Sequence, residues 1–462
     1  MRKTNILRSE RGQTLLIYIL AIFMLLLFTG LAIDGALLYM TKAKLSAAVD
    51  GACLAGMKTL SQGQTTATSI ATGIFDANYG NNSPVPSVTF PTTSSGNQQV
   101  QVTATVNVHT LFMEIVPQFA IVPVSDTAVA TRAKLIMTIV LDRSGSMCGG
   151  SDPCQNGVQG DDGGQALQAA VPDFISNFDQ TPSTGDEVGL ISFSSNSTIN
   201  YAINYSFITP IDSAVSSLVF EGGTFGTGAG TGTLLSTTIG PPMSLAGLQN
   251  DGVLIQPNQS VVKVIVYFTD GLMNTIQDQF HCGGVSNSTL TLLNYGGYDN
   301  PGPTQYGAIL DPTQAENIYG NASGSGFPYN SSGNTCIGSN GQPVTTFPSQ
   351  QPGKGSLSFL QTNITGETQY RALQTASTLR SESPNPNYFY TVGLGDSVDS
   401  STQMFLKEIA NDPTADTYNP SQTTGEFFYI QNCPSTPASI CNNEVLQVFQ
   451  TIAAKVLLRL TQ

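Results

Sequence analysis

Long and short apolar runs occur in different parts of this chain. Leu15 to Ile33 is a stretch of about 19 residues without a charge, close to the roughly 20 residues with which a helix crosses a bilayer. Farther along, Leu135–Leu141 and Val261–Phe268 are short, mostly apolar and rich in β-branched residues. Such runs are typical of strands buried on both faces of a parallel sheet. The pattern therefore predicts one membrane-spanning helix followed by an α/β domain.

The first apolar run is preceded by basic residues, namely Arg2, Lys3, Arg8 and Arg11. Basic residues before a spanning helix place the N-terminus in the cytoplasm. We therefore expect a cytoplasmic basic tail over residues 1–13 and a transmembrane helix over 14–38, with the bulk of the chain in the periplasm or outside. A cleaved signal peptide is the competing interpretation, but the run is long for one.

Residues 39–132 are predicted to form a small membrane-proximal α+β unit. Leu45 to Thr59 is rich in alanine, which favours continuation of the helix. Residues 61–99 are polar and predict a helix end and a loop. Alternating apolar residues over 99–110 and 121–132 predict half-buried strands. The alternative is a stalk that holds the next domain off the membrane.

Strands and helices alternate over residues 134–462, which favours a doubly wound, Rossmann-like α/β fold. The further strands are predicted over 187–193, 197–203, 387–394 and 426–431. The helices are predicted over 165–178, 368–379, 402–410 and 444–460. A Gly-, Asn- and Ser-rich insertion of some 90 residues, about 275–365, interrupts the alternation and is far longer than ordinary connections of about 2–6 residues.

Oxygen-bearing side chains follow the two buried strands. Asp142, Ser144 and Ser146 come directly after the first, and Asp270 follows the second. A flexible loop between them, Gly222-Gly223-Thr224, offers a further hydroxyl. Oxygen ligands suit a hard divalent cation such as Mg²⁺, Mn²⁺ or Ca²⁺, and ligands of open α/β sheets bind at the carboxyl ends of strands. Asp-x-Ser-x-Ser alone is a weak pattern, and a plain polar loop is the alternative.

The three segments in this order resemble the metal-ion-dependent adhesion site of von Willebrand factor type A domains. The resemblance implies that Ser144, Ser146 and Thr224 are direct ligands, while Asp142 and Asp270 hold the metal largely through water. Thr227 is an alternative to Thr224 because the loop has one extra residue between its threonines. Mg²⁺ is the expected ion, and an acidic side chain of a protein partner would complete its coordination.

The N-terminal region resembles TadG-like proteins of tight-adherence (Flp) pilus systems. The likeness lies in Glu10-Arg11-Gly12-Gln13, Leu31-Ala32-Ile33-Asp34-Gly35 and Asp50-Gly51-Ala52. It implies a single-pass protein of the bacterial cytoplasmic membrane whose partners are pilus-assembly components.

Composition supports an exported protein. Only 10% of residues are charged and the net charge is −14, so nucleic acid is not an expected partner. Apart from Cys53, which lies beside the apolar run, an even number of cysteines remains, which suggests disulfides. We expect them to stiffen a crown around the metal, with Cys148–Cys154, Cys282–Cys336 and Cys433–Cys441 as the simplest pairing.

The sequence favours binding over catalysis. His109 and His281 are the only histidines; no nucleophile–base pair is visible, and each histidine is expected to be structural. Three functions remain: a metal-dependent component of a tight-adherence pilus system, a freestanding surface adhesin that binds an acidic ligand group, and, less favoured, a hydrolase whose active site lies in the insertion.

Overall fold

The computed structural model describes the chain as two compact units. The first comprises Met1–Ser94 and Gln98–Arg132, and the second comprises Ser95–Asn97 and Ala133–Leu460. The residues whose backbone the structure describes are 11–80, 84–143, 147, 163–181, 185–193, 197–220, 242–271, 275–279, 289–293, 309–311, 316–319, 361–395, 398–431 and 438–460.

The first unit packs helices on a small antiparallel sheet. Its elements are α1 (Arg11–Lys58), α2 (Gln64–Tyr79), β1 (Ser87–Thr89), β2 (Gln98–His109) and β3 (Ile121–Arg132). The strands lie in the order β1-β2-β3. Leu45, Val49 and Ala52 of α1 are buried in the core of this unit with the inward residues of β2. The apolar face of that strand therefore belongs to the same core as the helix.

Helix α1 is long and apolar enough to cross a membrane by its length and composition. It continues from the charge-free run through the alanine-rich stretch without a break, as the alanine content predicts.

Helix α2 falls where the sequence predicts mainly a loop, and this prediction was wrong. Ala67, Ala71 and Phe75 are spaced by four and are fully buried, which places them on one face of the helix. Thr, Ser and Asn are weak helix formers, so tertiary packing rather than local propensity stabilises this helix.

The second unit contains a six-stranded sheet flanked by helices. Its elements are β4 (Lys134–Asp142), α3 (Gly163–Ile175), β5 (Glu187–Phe193), β6 (Ser197–Asn204), α4 (Ile208–Ser216), α5 (Pro242–Gly252), β7 (Val261–Thr269), β8 (Thr275–Gln279), β9 (Thr289–Leu293), β10 (Ile309–Asp311), β11 (Glu316–Tyr319), α6 (Gln361–Arg380), β12 (Asn387–Leu394), α7 (Ser400–Ala410), β13 (Glu426–Ile430) and α8 (Ala438–Arg459).

The strand order of the large sheet is β13-β12-β7-β4-β5-β6, and only β6 pairs in antiparallel fashion. Helices α3, α4 and α8 pack on one face, and α5, α6 and α7 pack on the other. Every residue of β4 is buried, as a strand covered on both faces requires. The predicted doubly wound α/β fold is confirmed.

The order in which the chain adds strands to this sheet reverses between the parallel neighbours β4 and β7. From β4 the chain proceeds outward to β5 and β6, and it then returns to β7 on the other side of β4. A crevice at such a switch point is where ligands of open α/β sheets bind.

The predicted insertion contains secondary structure. Strands β8 to β11 form a second, antiparallel sheet in the order β11-β10-β9-β8. The following helix, α6, begins at Gln361, seven residues earlier than predicted, because its first turns are too polar to show a helical apolar pattern.

Candidate metal site

The carboxylates of Asp142 and Asp270 lie at the ends of neighbouring parallel strands. Asp142 is the last residue of β4, and Asp270 directly follows β7. The register pairs Leu141 with Phe268, so one residue later Asp142 lies beside Thr269. Both acids are buried, at 0% and 5% exposure. The structure therefore brings these two predicted site residues to the switch point of the sheet.

Thr269 joins the two strand ends. Its hydroxyl Oγ1 donates a hydrogen bond of 2.7 Å to Oδ2 of Asp142, and this contact is buried. One strand end thus supplies a carboxylate and a donor that orients the other carboxylate.

The negative charges at these strand ends affect the pKa of a buried tyrosine. Tyr267 is fully buried, and burial raises its pKa well above the ordinary value; the charge of Asp142, and then that of Asp270, raises the pKa further. A buried, ionised carboxylate is stable only when hydrogen-bond donors or a cation compensate its charge, and the Thr269 hydroxyl is one such donor for Asp142.

Side chains from three different segments pack against the two consecutive glycines at the start of α3. A Cβ on Gly163 would meet Leu394 of β12 and would lie 3.0 Å from Cε of Met147. A Cβ on Gly164 would lie 2.8 Å from the ring of Phe220. Met147 and Phe220 are almost fully buried. The chain that leaves β4 and the chain that follows α4 therefore both reach the first turn of α3.

These contacts matter because they flank the predicted hydroxyl ligands in the sequence. Ser144 and Ser146 lie between Asp142 and Met147, and Thr224 follows four residues after Phe220. Ser144, Ser146 and Thr224, together with Thr227, lie outside the described residues. The buried anchors on either side of them were not identified by the sequence analysis. Consecutive glycines at a helix start were the one signal that could have indicated a close approach.

The donor set fits a hard cation better than a soft one. Asp142 and Asp270 provide carboxylate oxygens, the ligand type that Mg²⁺, Mn²⁺ and Ca²⁺ prefer. Within the described part of the chain, no group of three or more His, Cys, Asp or Glu side chains could hold a metal. The predicted hydroxyl ligands lie outside that part, and the complete site stays a prediction.

The predicted disulfide set falls mostly outside the described residues, which include none of Cys148, Cys154, Cys282, Cys336 and Cys433. Cys441 is buried in the first turns of α8 and is disulfide-bonded. Cys53 is a free, buried thiol whose Sγ donates to the carbonyl oxygen of Val100 at 3.1 Å. The pairing itself stays a prediction.

Neither histidine can be placed at the carboxylates. His109 is the exposed last residue of β2, in the first unit. His281 lies outside the described residues.

The N-terminal segment matches a pilus-assembly family. Residues 12–59 match the model described as "Putative Flp pilus-assembly TadE/G-like". The matched segment covers most of α1 and nothing of the second unit, so it confirms the TadG-like resemblance at the N-terminus. No curated protein sequence matches the chain significantly.

Solved structures that resemble the chain include several from pili. The von Willebrand factor domain of the type V pilus tip protein Mfa5 from Porphyromonas gingivalis is 14% identical over 72% of this chain and 98% of that one, with a TM-score of 0.38. The PilB minor pilin from Streptococcus sanguinis is 12% identical over 80% and 78%, with a TM-score of 0.36.

A third neighbour is proximal thread matrix protein 1 from the mussel byssus, whose structure has a zinc-occupied MIDAS motif. It is 14% identical over 69% of this chain and 46% of that one, with a TM-score of 0.30. The fold assignment for this chain rests on the strand order and helix layers described above.

Proposed function

We propose that this chain is a membrane-anchored, metal-dependent protein-binding component of a tight-adherence (Flp) pilus assembly system. The observation that carries the metal dependence is the pair of buried carboxylates, Asp142 and Asp270, at the switch point of the sheet. The TadE/G-like match over residues 12–59 supports the pilus context.

In this proposal Ser144, Ser146 and Thr224 bind the ion directly, and Asp142 and Asp270 hold it through water. Thr269 fixes the Asp142 carboxylate through the 2.7 Å hydrogen bond. Mg²⁺ is the expected ion, with Mn²⁺ and Ca²⁺ as alternatives. When bound, it supplies an electrophilic position that an acidic side chain of a partner protein completes. The chain acts by binding and is not an enzyme.

The proposed layout is a cytoplasmic tail over residues 1–13, a spanning helix over 14–38, a membrane-proximal unit over 39–132 and a binding domain over 134–462. The protein would be a single-pass component of the bacterial cytoplasmic membrane, with its N-terminus in the cytoplasm. The long apolar helix α1 supports this arrangement.

The decisive experiment is a metal titration of the full chain in detergent or nanodiscs. Asp142→Asn keeps an acceptor for the Thr269 hydroxyl but removes the charge, so Mg²⁺ or Mn²⁺ binding should be lost while the circular dichroism spectrum is unchanged. Asp212→Asn is the matched control, because Asp212 is an exposed acid of α4 in the same unit. Unchanged titration of Asp142→Asn would reject the site.

The partner class is tested separately by pull-down from native membranes. Pilus-assembly proteins should be recovered with Mg²⁺ and lost with chelator or with Asp142→Asn. Recovery of a host or matrix ligand alone would favour the freestanding adhesin instead.

A further inference from the structure

The loop that joins β2 and β3, residues 110–120, is unusually apolar and exposed; together with Ile121, the first residue of β3, we call it the hairpin tip. Six of its large apolar side chains are 44–84% exposed, with Ile115 the most exposed. Exposed apolar patches of this kind mark protein or membrane contacts. The exposed apolar residues are Leu111, Phe112, Ile115, Val116, Phe119 and Ile121.

The hairpin tip is attached to helix α1 at the end of its charge-free run. The carboxylate of Asp34 accepts hydrogen bonds from the backbone N–H groups of Leu111, Phe112 and Met113 at 2.8, 2.8 and 2.6 Å. A Cβ on Gly30 would lie 2.6 Å from Cγ of Phe112. At 1.5 Å rise per residue, Gly30 lies about 6 Å below Asp34 along the helix, so the Phe112 ring reaches into the level of the apolar run.

The backbone of the hairpin tip is suited to a low-dielectric environment. Irregular backbone is costly in lipid unless its polar groups find partners within the protein. Besides the three N–H groups bound by Asp34, five others of the tip donate to carbonyls of the tip. These five belong to Thr110, Ile115, Val116, Phe119 and Ala120.

We propose that the hairpin tip is a second membrane contact, inserted into the outer-leaflet boundary beside α1. The tip's apolar side chains continue the exposed apolar surface of Leu15–Ile33. The buried carboxylate of Asp34 is compensated by the three backbone N–H groups of the tip that donate to it. Apolar groups of interfacial elements typically reach about 5–10 Å into the boundary between headgroups and acyl chains. Of the tip's polar side chains, Glu114 and Gln118 are exposed and would face the headgroups, whereas Thr110 is buried and donates from Oγ1 to the carbonyl of Phe119.

This contact is independent of the metal site and would orient the membrane-proximal unit against the bilayer. Lys42 supports the same geometry, since its Nζ binds Asp126 Oδ1 of β3 at 2.7 Å. The hairpin is thus bound to α1 at two places, through Asp34 at the tip and through Lys42 at Asp126 of β3.

Single-tryptophan probes test this directly, because the chain contains no Trp. The full chain would be placed in nanodiscs with lipids brominated near the headgroup end of their chains. Ile115→Trp should show blue-shifted emission, several-fold stronger quenching by brominated lipid than Val129→Trp, and weaker quenching by acrylamide. Val129 is the matched control: it lies on the same hairpin, is 52% exposed, and is about 26 Å along β3 from its start.

Leu20→Trp, within the apolar run of α1, establishes that the helix is inserted. If Leu20→Trp is quenched by brominated lipid while Ile115→Trp responds like Val129→Trp, the proposal fails. If Ile115→Trp is shielded from both quenchers, protein covers the tip, and the proposal fails as well.

Discussion

Thr269 is the residue through which β7 holds the carboxylate of Asp142. Thr269→Val keeps the side-chain shape but removes the donor of the 2.7 Å bond. Losing one partner of a buried hydrogen bond costs about 1–3 kcal/mol, and losing the group that orients a metal-binding side chain costs about 10–100-fold in affinity. We expect both a lower urea midpoint and weaker Mg²⁺ binding by calorimetry.

Thr391→Val provides the control for this prediction. Thr391 is equally buried and donates from Oγ1 to the backbone carbonyl of Leu406 at 2.9 Å rather than to a carboxylate. Its loss should lower stability to a similar degree and leave Mg²⁺ affinity unchanged. Equal loss of affinity in both variants would show that general destabilisation, and not the orientation of Asp142, is responsible.

The sequence could single out Asp142 and Asp270 as candidate metal residues, which stays a prediction, but it could not show the contacts around them. An acid at the end of a buried strand is visible in a linear pattern. That Thr269 lies beside Asp142 depends on the β4–β7 register, which joins residues more than a hundred positions apart. The same holds for Met147 and Phe220, whose contact with the start of α3 exists only in the folded chain.

At the scale of elements, α7 offers a test of its first turn. Oδ1 of Asp399 accepts from the N–H of Thr402 and from the hydroxyls of Thr402 and Ser401, each at 2.8 Å. These bonds, first the one from the Thr402 backbone, lower the pKa of Asp399 below its ordinary 3.8. Asp399→Ala should cost about 0.5–2 kcal/mol at neutral pH, as N-cap losses do.

The sign of the pH dependence follows from that lowered pKa. Because the folded state holds the Asp399 proton less tightly than the unfolded state, its contribution is complete above 3.8 and is lost as pH falls through the folded value. Urea unfolding at pH 7 and pH 3 should therefore show the gap between wild type and Asp399→Ala narrowing in acid. Ser400→Ala, an exposed neighbour, should show no gap at either pH; a gap for Asp399→Ala that is constant with pH would contradict the capping role.

The elements that the sequence predicted best are those buried on both faces. The bounds of β5 and β12 agree with the prediction to the residue, because an apolar strand between polar turns has sharp limits. Helices α4 and α5 were not predicted, and α2 was predicted mainly as a loop. Each is short or polar, so long-range packing decides its conformation where local propensity does not.

At the scale of the whole molecule, the strand order of the large sheet could not be predicted from the sequence. Alternating strands and helices predict a parallel sheet, yet they leave open which strands are neighbours. The order that places β4 beside β7 is what brings the ends of two separate motifs next to each other. The three distinct sheets of the described chain likewise follow from pairings that no linear pattern contains.

The division into two units gives a final prediction. A ligand stabilises the cooperative unit that binds it, and the proposed ligands all belong to the second unit. In hydrogen–deuterium exchange of the full chain, Mg²⁺ should increase protection of β4 and β7 and leave β2 and β3 unchanged. Asp142→Asn should abolish the increase. An equal increase in both units would mean that metal binding is energetically coupled to the first unit as well, and would contradict a site whose effect is confined to the second unit.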